Sequence, residues 1–262
     1  MTENVLLTRQ GHVAVLSFNR PDAMNALDIA TKETLLAHLR EVAADSEVRA
    51  VVLTGSGRAF CVGQDLREHI TLLRDDPAMV ARTVRDHYNP IAELIATMDK
   101  PVIAAVNGVA AGAGASIAFG ADLRLVADTA SFNLAFAGVA LSCDTGASFL
   151  LPQLVGMAKA KELLLQPSTI DAQTALDLGL ATRVLPAAEL EEAALALAQQ
   201  LAQGPTLAYG SMRQALAFAS GASISDALEF EATMMNRTGS SADHKIAVQA
   251  FLAKEKPNFT GQ

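Results

Sequence analysis

The stretch KPVIAAVNGVAAGAGASIAFGADLRLVAD, residues 100–128, has two readings, and the choice between them decides the fold. Residues 101–121 approach the ~20 apolar residues that cross a bilayer. Yet Pro101, Asn107, four glycines and a bias to alanine leave little of the Leu and Ile content of a lipid-facing helix. The better reading is a buried strand PVIAAV (101–106), a glycine-rich turn running into a closely packed helix, and a further strand LRLVAD (123–128). The stretch is core, and no membrane partner is expected.

Outward from it, the same grammar recurs. NVLLTRQ (4–10) and HVAVLSFNR (12–20) predict a hairpin turning at Gly11. Ile29, Leu35, Leu36, Leu39 and Val42 recur at helical period between Leu27 and Ala44. RAVVLTG (49–55) predicts a short buried strand, and GSGRAFCVGQDL (55–66) a loop too rich in glycine for a regular element. Residues 67–99 are mostly helical with a break at Asn89-Pro90. SFNLAF (131–136) and ATRVLP (181–186) are short extended pieces, with helical segments between Asp144 and about Asp177. Helices follow from about 187, broken at Gly204-Pro205 and Gly221. The pattern is an α/β core, residues 1–195, with a helical C-terminal region, 196–262.

A chain of 262 residues can bury a full core, and 51% hydrophobic with 18% charged residues marks a globular protein. The net charge of -8 and the lack of any basic block argue against a nucleic-acid partner. MTENVLLTRQGHVAVLSFNR (1–20) has no basic segment ahead of a long apolar one, so no secretory leader is expected. With only Cys61 and Cys143, a reduced cytoplasmic protein is the simpler expectation.

Two loops, FCVGQDL and GVAAGAGASIA, follow strands and consist of small residues that can present free backbone N–H groups. Two such groups aimed at one point stabilise an oxyanion, and tight backbone packing is the competing reason for the glycines. GAGAS (112–116) lacks the full spacing of a dinucleotide fingerprint. In ALSCDTGASFLL (140–151), Asp144 has two possible roles, the cap of the following helix or a proton carrier. Cys143 is weighed as a nucleophile, but no histidine shares its motif, and a buried thiol is the commoner case. No cluster has metal-ligand spacing, so no metal is expected.

NRPDAMNAL (19–27), VVLTGSGRAFCVGQDL (51–66), the stretch 100–128 and the tail AFLAKEKPNFTG (250–261) together resemble the enoyl-CoA hydratase/isomerase, or crotonase, superfamily over almost the whole chain. HYNPIAELI and SFNLAFAGVALSCDTGASFLLPQLVG resemble its isomerase branch of phenylacetate breakdown. The resemblance implies a spiral of ββα units with a helical trimerisation region, and a homotrimer or homohexamer. It implies an acyl-CoA thioester substrate, with coenzyme A as part of it and no permanently bound cofactor. The backbone N–H groups of Gln64 and Ala113 would be the oxyanion donors. The hydratase branch's two glutamates would fall at Ser116 and Phe136, and the isomerase branch's acid at Asp144. Ala23, Met24, Asn25, Ala59 and Cys61 resemble nucleotide and pantetheine contacts; Arg58 and Lys254 would be charge partners for phosphates or else ordinary surface charge, and Phe251 a cover for the ligand or else helix packing. Ser142-Cys143-Asp144-Thr145-Gly146-Ala147-Ser148 departs from the branch's I-P-D-x-G-G-T in lacking the proline and one glycine. The implied activity is an acyl-CoA isomerase that turns an arene epoxide into an oxepin, shifts enoyl double bonds, or does both. An enoyl-CoA hydratase and a non-catalytic acyl-CoA-binding protein are the alternatives.

Overall fold

The computed structural model describes residues 3–76 and 78–262. β1 (Val5–Gln10) and β2 (Val13–Phe18) form the expected hairpin. α1 (Ile29–Ala44) starts at Asp28, whose carboxylate accepts the Thr31 N–H at 2.7 Å. β3 (Ala50–Gly55) follows, and then β4 (Ala59–Cys61) lies inside what the glycine content marked as loop. Three residues carry no measurable periodicity, which is why this strand is silent in the sequence.

α2 (Leu66–Asp75), α3 (Met79–Thr83) and α4 (Asn89–Thr97) come next. No break stands at Asn89-Pro90. A π-turn over Val84–Tyr88 runs directly into α4, with the Asn89 N–H bonded to the Val84 carbonyl. The wider turn carries the chain past the hydrogen bond that proline cannot donate.

The stretch 100–128 resolves into β5 (Val102–Val106), β6 (Val109–Ala111), α5 (Ala113–Gly120) and β7 (Leu123–Ala127). All of β5 is buried, as the continuous apolar run of a central parallel strand requires. β8 (Ser131–Asn133), α6 (Ala147–Leu165, kinked at Gly156), β9 (Ile170–Asp171), α7 (Ala172–Asp177) and β10 (Arg183–Leu185) complete the core. α8 (Leu190–Ala202), α9 (Thr206–Ala219), α10 (Ile224–Gly239) and α11 (Ala242–Ala253) close the chain. α8 packs on β3 and β5, so a division at 195 falls within a helix that covers the core sheet.

Two sheets result, ordered β1-β2-β3-β5-β7-β10 and β4-β6-β8-β9. β3, β5 and β7 are parallel neighbours in the first, and β4, β6 and β8 in the second. After the β1-β2 hairpin, which lies wholly in the first sheet, the pairs β3-β4, β5-β6 and β7-β8 each give one strand to each sheet before a helix, which is the expected spiral. The C-terminal tail returns to the body of the protein: Arg49 donates to the Phe259 and Gly204 carbonyls, and Asp243 accepts the Thr260 and Gly261 N–H groups. Among the described residues, no helix is long and apolar enough to cross a membrane.

Candidate active site

The small sheet builds the site. Because β4, β6 and β8 run parallel, the chain leaves all three at one edge, and adjacent strands lie about 4.8 Å apart. Three segments distant in sequence are thereby set side by side: 62–65, 112–113 and 134–144. They line a cleft of about 600 Å³ with Gln64, Ala113, Phe136, Val139, Leu141 and Asp144 among its walls.

Gln64 forms a parallel bridge with Leu27, made by the Leu27 N–H to the Gly63 carbonyl and the Asp65 N–H to the Leu27 carbonyl. In such a bridge the flanking residues supply the bonds, so the N–H of Gln64 faces the other way. Ala113 is the first residue of α5, and its N–H is one of the groups a helix leaves unpaired. Neither N–H has a protein acceptor among the described residues. The turn into Ala113 needs Gly112, with φ +50° and ψ -123°. Gly63 is needed too: at φ +82°, a Cβ there would sit 3.2 Å from the Ala113 nitrogen and 2.8 Å from the Ala111 carbonyl oxygen. Two free donors thus stand at adjoining loops, one at a helix N-terminus where negative charge is favoured.

Asp144 is not the helix cap. Gly146 occupies that position in a left-handed conformation, with no side-chain capping bond. The Asp144 carboxylate instead accepts the Thr145 hydroxyl at 2.8 Å. Thr145 is buried at φ +53°, an outlier for a β-branched residue. Burial pushes the Asp144 carboxyl above its ordinary value, against the opposing pull of the Thr145 hydroxyl and of Lys32. Ser116 turns its hydroxyl onto the Gly112 carbonyl, and Phe136 is an apolar wall. The cleft's other carboxylates are Asp22 and Asp65. Asp65 pairs with Arg20 at 3.0 Å and accepts the Arg67 and Glu68 N–H groups at the start of α2. Burial raises its pKa, but those bonds outweigh burial and hold it below the usual value.

The residues expected at the ligand divide. Ala23, Met24 and the exposed Arg58 line the cleft mouth together with Arg20, Arg67 and His69. Asn25, Ala59 and Cys61 are buried and do not line it. Asn25 is a builder: its side chain accepts the Arg20 N–H and donates to the Ser56 and Ala59 carbonyls, holding Met24 and Asn25 at positive φ. Cys61 is enclosed in β4, where burial pushes its thiol up to about 12. Cys143 is half-buried. Phe251, 82% exposed, and Lys254 lie at the end of α11 and do not line the cleft of this single chain. Among the described residues, no three His, Cys, Asp or Glu side chains gather as a metal site would require.

A buried polar cluster behind Gln64 was not foreseen. Lys32, fully buried, donates to Gln64 Oε1 at 3.1 Å and to Thr83 Oγ1 at 2.8 Å. Tyr88 donates its hydroxyl to the same Gln64 oxygen at 2.7 Å. The available signal was spacing, since Lys32 stands three, four and seven residues before Leu35, Leu36 and Leu39, on the apolar face of α1.

Known proteins extend the comparison. The family model described as enoyl-CoA hydratase/isomerase matches residues 8–262. The 1,2-epoxyphenylacetyl-CoA isomerase of Escherichia coli is 37% identical over the full length of both chains. The short-chain-enoyl-CoA hydratase of Clostridium acetobutylicum is 34% identical, covering 97% of this chain and 96% of its own. A crystal structure from Mycobacterium abscessus, assigned provisionally as an enoyl-CoA hydratase/isomerase, superposes with a TM-score of 0.92 at 43% identity, covering 98% of this chain and 100% of that one.

Proposed function

The chain belongs to the enoyl-CoA hydratase/isomerase family, and from that premise we propose that it is an acyl-CoA isomerase with Asp144 as its single acid/base. The observation that carries this reading is the fate of the three positions that hold acids across the family branches. Ser116 is turned onto its own helix, Phe136 is an apolar wall, and Asp144 lines the cleft with its carboxylate hydrogen-bonded, among the described residues, by Thr145 alone.

The thioester carbonyl accepts hydrogen bonds from the N–H groups of Gln64 and Ala113, and these strengthen as negative charge develops on that oxygen. Asp144 takes a proton from one carbon and returns it to another, which suffices to move a double bond or to open and rearrange a ring epoxide. Adding water across a double bond asks for a positioned water and help on two sides, which one carboxylate supplies less well. The apolar wall of Phe136, Val139 and Leu141 suits a ring-bearing or unsaturated acyl group. Arg20, Arg58 and Arg67 at the mouth suit the phosphates of coenzyme A. The likeness to the E. coli isomerase favours 2-(1,2-epoxy-1,2-dihydrophenyl)acetyl-CoA, in phenylacetate catabolism, as the substrate. Exposed Leu228, Met235, Val248 and Leu252 on α10 and α11 favour a trimer or hexamer, with Phe251 and Lys254 offered to a neighbour's cleft. The cytoplasm is the expected compartment.

Several relatives are hydratases, so hydration is the competing activity. Separate incubation with a 3-enoyl-CoA, a 2-enoyl-CoA and the ring epoxide, followed by product chromatography, distinguishes the two. Isomer or oxepin product is expected. Fast 3-hydroxyacyl-CoA formation with no isomer or oxepin would replace this reading with the hydratase one.

A further inference from the structure

Lys32 presents a physical problem. Removing an ammonium from water costs several kcal/mol even after relaxation, and an apolar side chain of similar volume commonly serves stability as well or better. Lys32 is nevertheless wholly enclosed on the core face of α1. Its partners are few, and one of them, Gln64, lines the cleft. Gln64 Oε1 and Thr83 Oγ1 accept from it, the Tyr88 ring lies 5.2 Å from Nζ, and the nearest carboxylate oxygen, on Glu68, is 3.8 Å away.

The geometry singles out Gln64. Its side-chain oxygen is filled from two elements, by Lys32 of α1 and by Tyr88 of the π-turn, while its amide nitrogen lies 3.4 Å from Glu68 Oε1. Glu68 in turn accepts the Ile29 N–H at the start of α1. The residue whose backbone N–H faces the thioester is thus gripped by its own side chain from behind. We propose that Lys32 is a positioning residue of this site: its buried ammonium holds the Gln64 side chain and so fixes the Gln64 donor. The inference rests on the proposed roles of Gln64 and Asp144.

The charged and titratable groups around it can be named. Glu68, Asp28 and Asp144 attract the Lys32 cation and oppose the lowering that burial imposes on it. Tyr88 is held well above its ordinary value by burial and by Asp144, Cys61 and Glu68, so it stays a neutral donor. His87 reaches the cluster only through Thr83, at 3.0 Å. The Lys32 charge in turn opposes the raising of the Asp144 carboxyl by burial, after the larger effect of the Thr145 hydroxyl. The same buried positive charge, behind Gln64, favours by its field the anionic thioester oxygen as it forms.

The test is Lys32→Met, which keeps length and removes charge. The kcat should fall by roughly tenfold, less than the 10²–10³ expected for an absent donor, with KM nearly unchanged. The acid limb of the kcat–pH profile should move to higher pH. The Asp144 carboxyl, followed by carbon-13 NMR titration in ligand-free protein, should titrate at higher pH than in wild type. A folded K32M with wild-type kcat and an unmoved pH profile overturns the proposal. Should K32M not fold, Lys32→Gln decides, because it removes the charge and keeps a polar side chain in the enclosed space. It should lower kcat severalfold, and a folded K32Q with wild-type kcat overturns the proposal. The NMR readout needs no turnover, so it stands apart from failure of the isomerase reading, which normal turnover by Asp144→Asn would reveal.

Discussion

Asp144→Asn separates chemistry from architecture. Asparagine keeps the size of aspartate and can accept the Thr145 hydroxyl that the carboxylate accepts at 2.8 Å. What it loses is the capacity to take a proton. A positioned acid or base is worth about 10²–10⁴ in rate, or roughly 3–5 kcal/mol of barrier, and turnover should fall by that factor. Stability should respond differently. Asn caps a helix about as well as Asp, and here the cap is Gly146 in any case, so no capping loss of melting temperature arises.

The pH dependence gives a second handle. Burial raises the Asp144 carboxyl above its unfolded value, so the folded chain binds that proton more tightly than the unfolded one. The ionised carboxylate therefore destabilises the fold at pH above its folded pKa, and this penalty fades as pH falls through that value toward the unfolded one. D144N should melt at or above the wild-type temperature near pH 7–8, with the difference shrinking on acidification. Wild-type kcat should rise with pH as Asp144 loses its proton. Turnover on the isomerase substrate and differential scanning calorimetry on one preparation provide the assay. A folded D144N within about threefold of wild-type turnover, against the expected factor, would refute the assignment.

Gly63→Ala should strain the Gln64 loop, because a Cβ would meet the Ala111 carbonyl oxygen at 2.8 Å from a backbone at φ +82°. A cost of about 1–3 kcal/mol in urea unfolding is expected. A fall in kcat approaching the 10²–10³ of a lost donor should accompany it, and wild-type kcat would count against Gln64 as donor. The two cysteines should also part. Cys61, buried in β4 with its thiol pushed up to about 12, should resist a chromogenic disulfide reagent at pH 8 until the protein is unfolded. Cys143, half-buried beside Asp144, should react in the folded protein, and release of both equivalents before denaturation would contradict the packing around β4.

The long strands were legible because burial on both faces writes a continuous apolar run, as VIAAV in β5 does. Asp144 stood out as a carboxylate between an apolar run and a helix start. Its role as a cap did not survive, since φ +79° at Gly146 starts α6 without any side chain. The continuous turn at Asn89-Pro90 was illegible because proline announces a lost hydrogen bond but not whether the helix breaks or widens around it. Lys32 was legible only as an anomaly, a cation on an apolar stripe. Its partners Thr83, Tyr88 and Gln64 come from elements whose proximity only the fold supplies.

Two of the three strands that make the site are concealed in the sequence. β4 and β6 have three residues each, too short for a period of two to register, whereas β8 falls within the extended piece read at 131–136. Their work is positional: parallel pairing puts the Gln64 loop, the start of α5 and the Asp144 loop at one edge of one small sheet. The first sheet, with its long apolar strands, could tolerate substitutions of similar volume and keep the spiral. The second has no such latitude, because a shift of one residue in β4 against β6 would carry the Gln64 N–H away from Ala113. Gly63, packed against the Ala113 nitrogen, and Asn25, gripping the Ala59 carbonyl from outside the sheet, guard that register from two sides. Stability of the fold and accuracy of the site therefore rest on different sheets, and the residues that serve the second carry little hydrophobic signal.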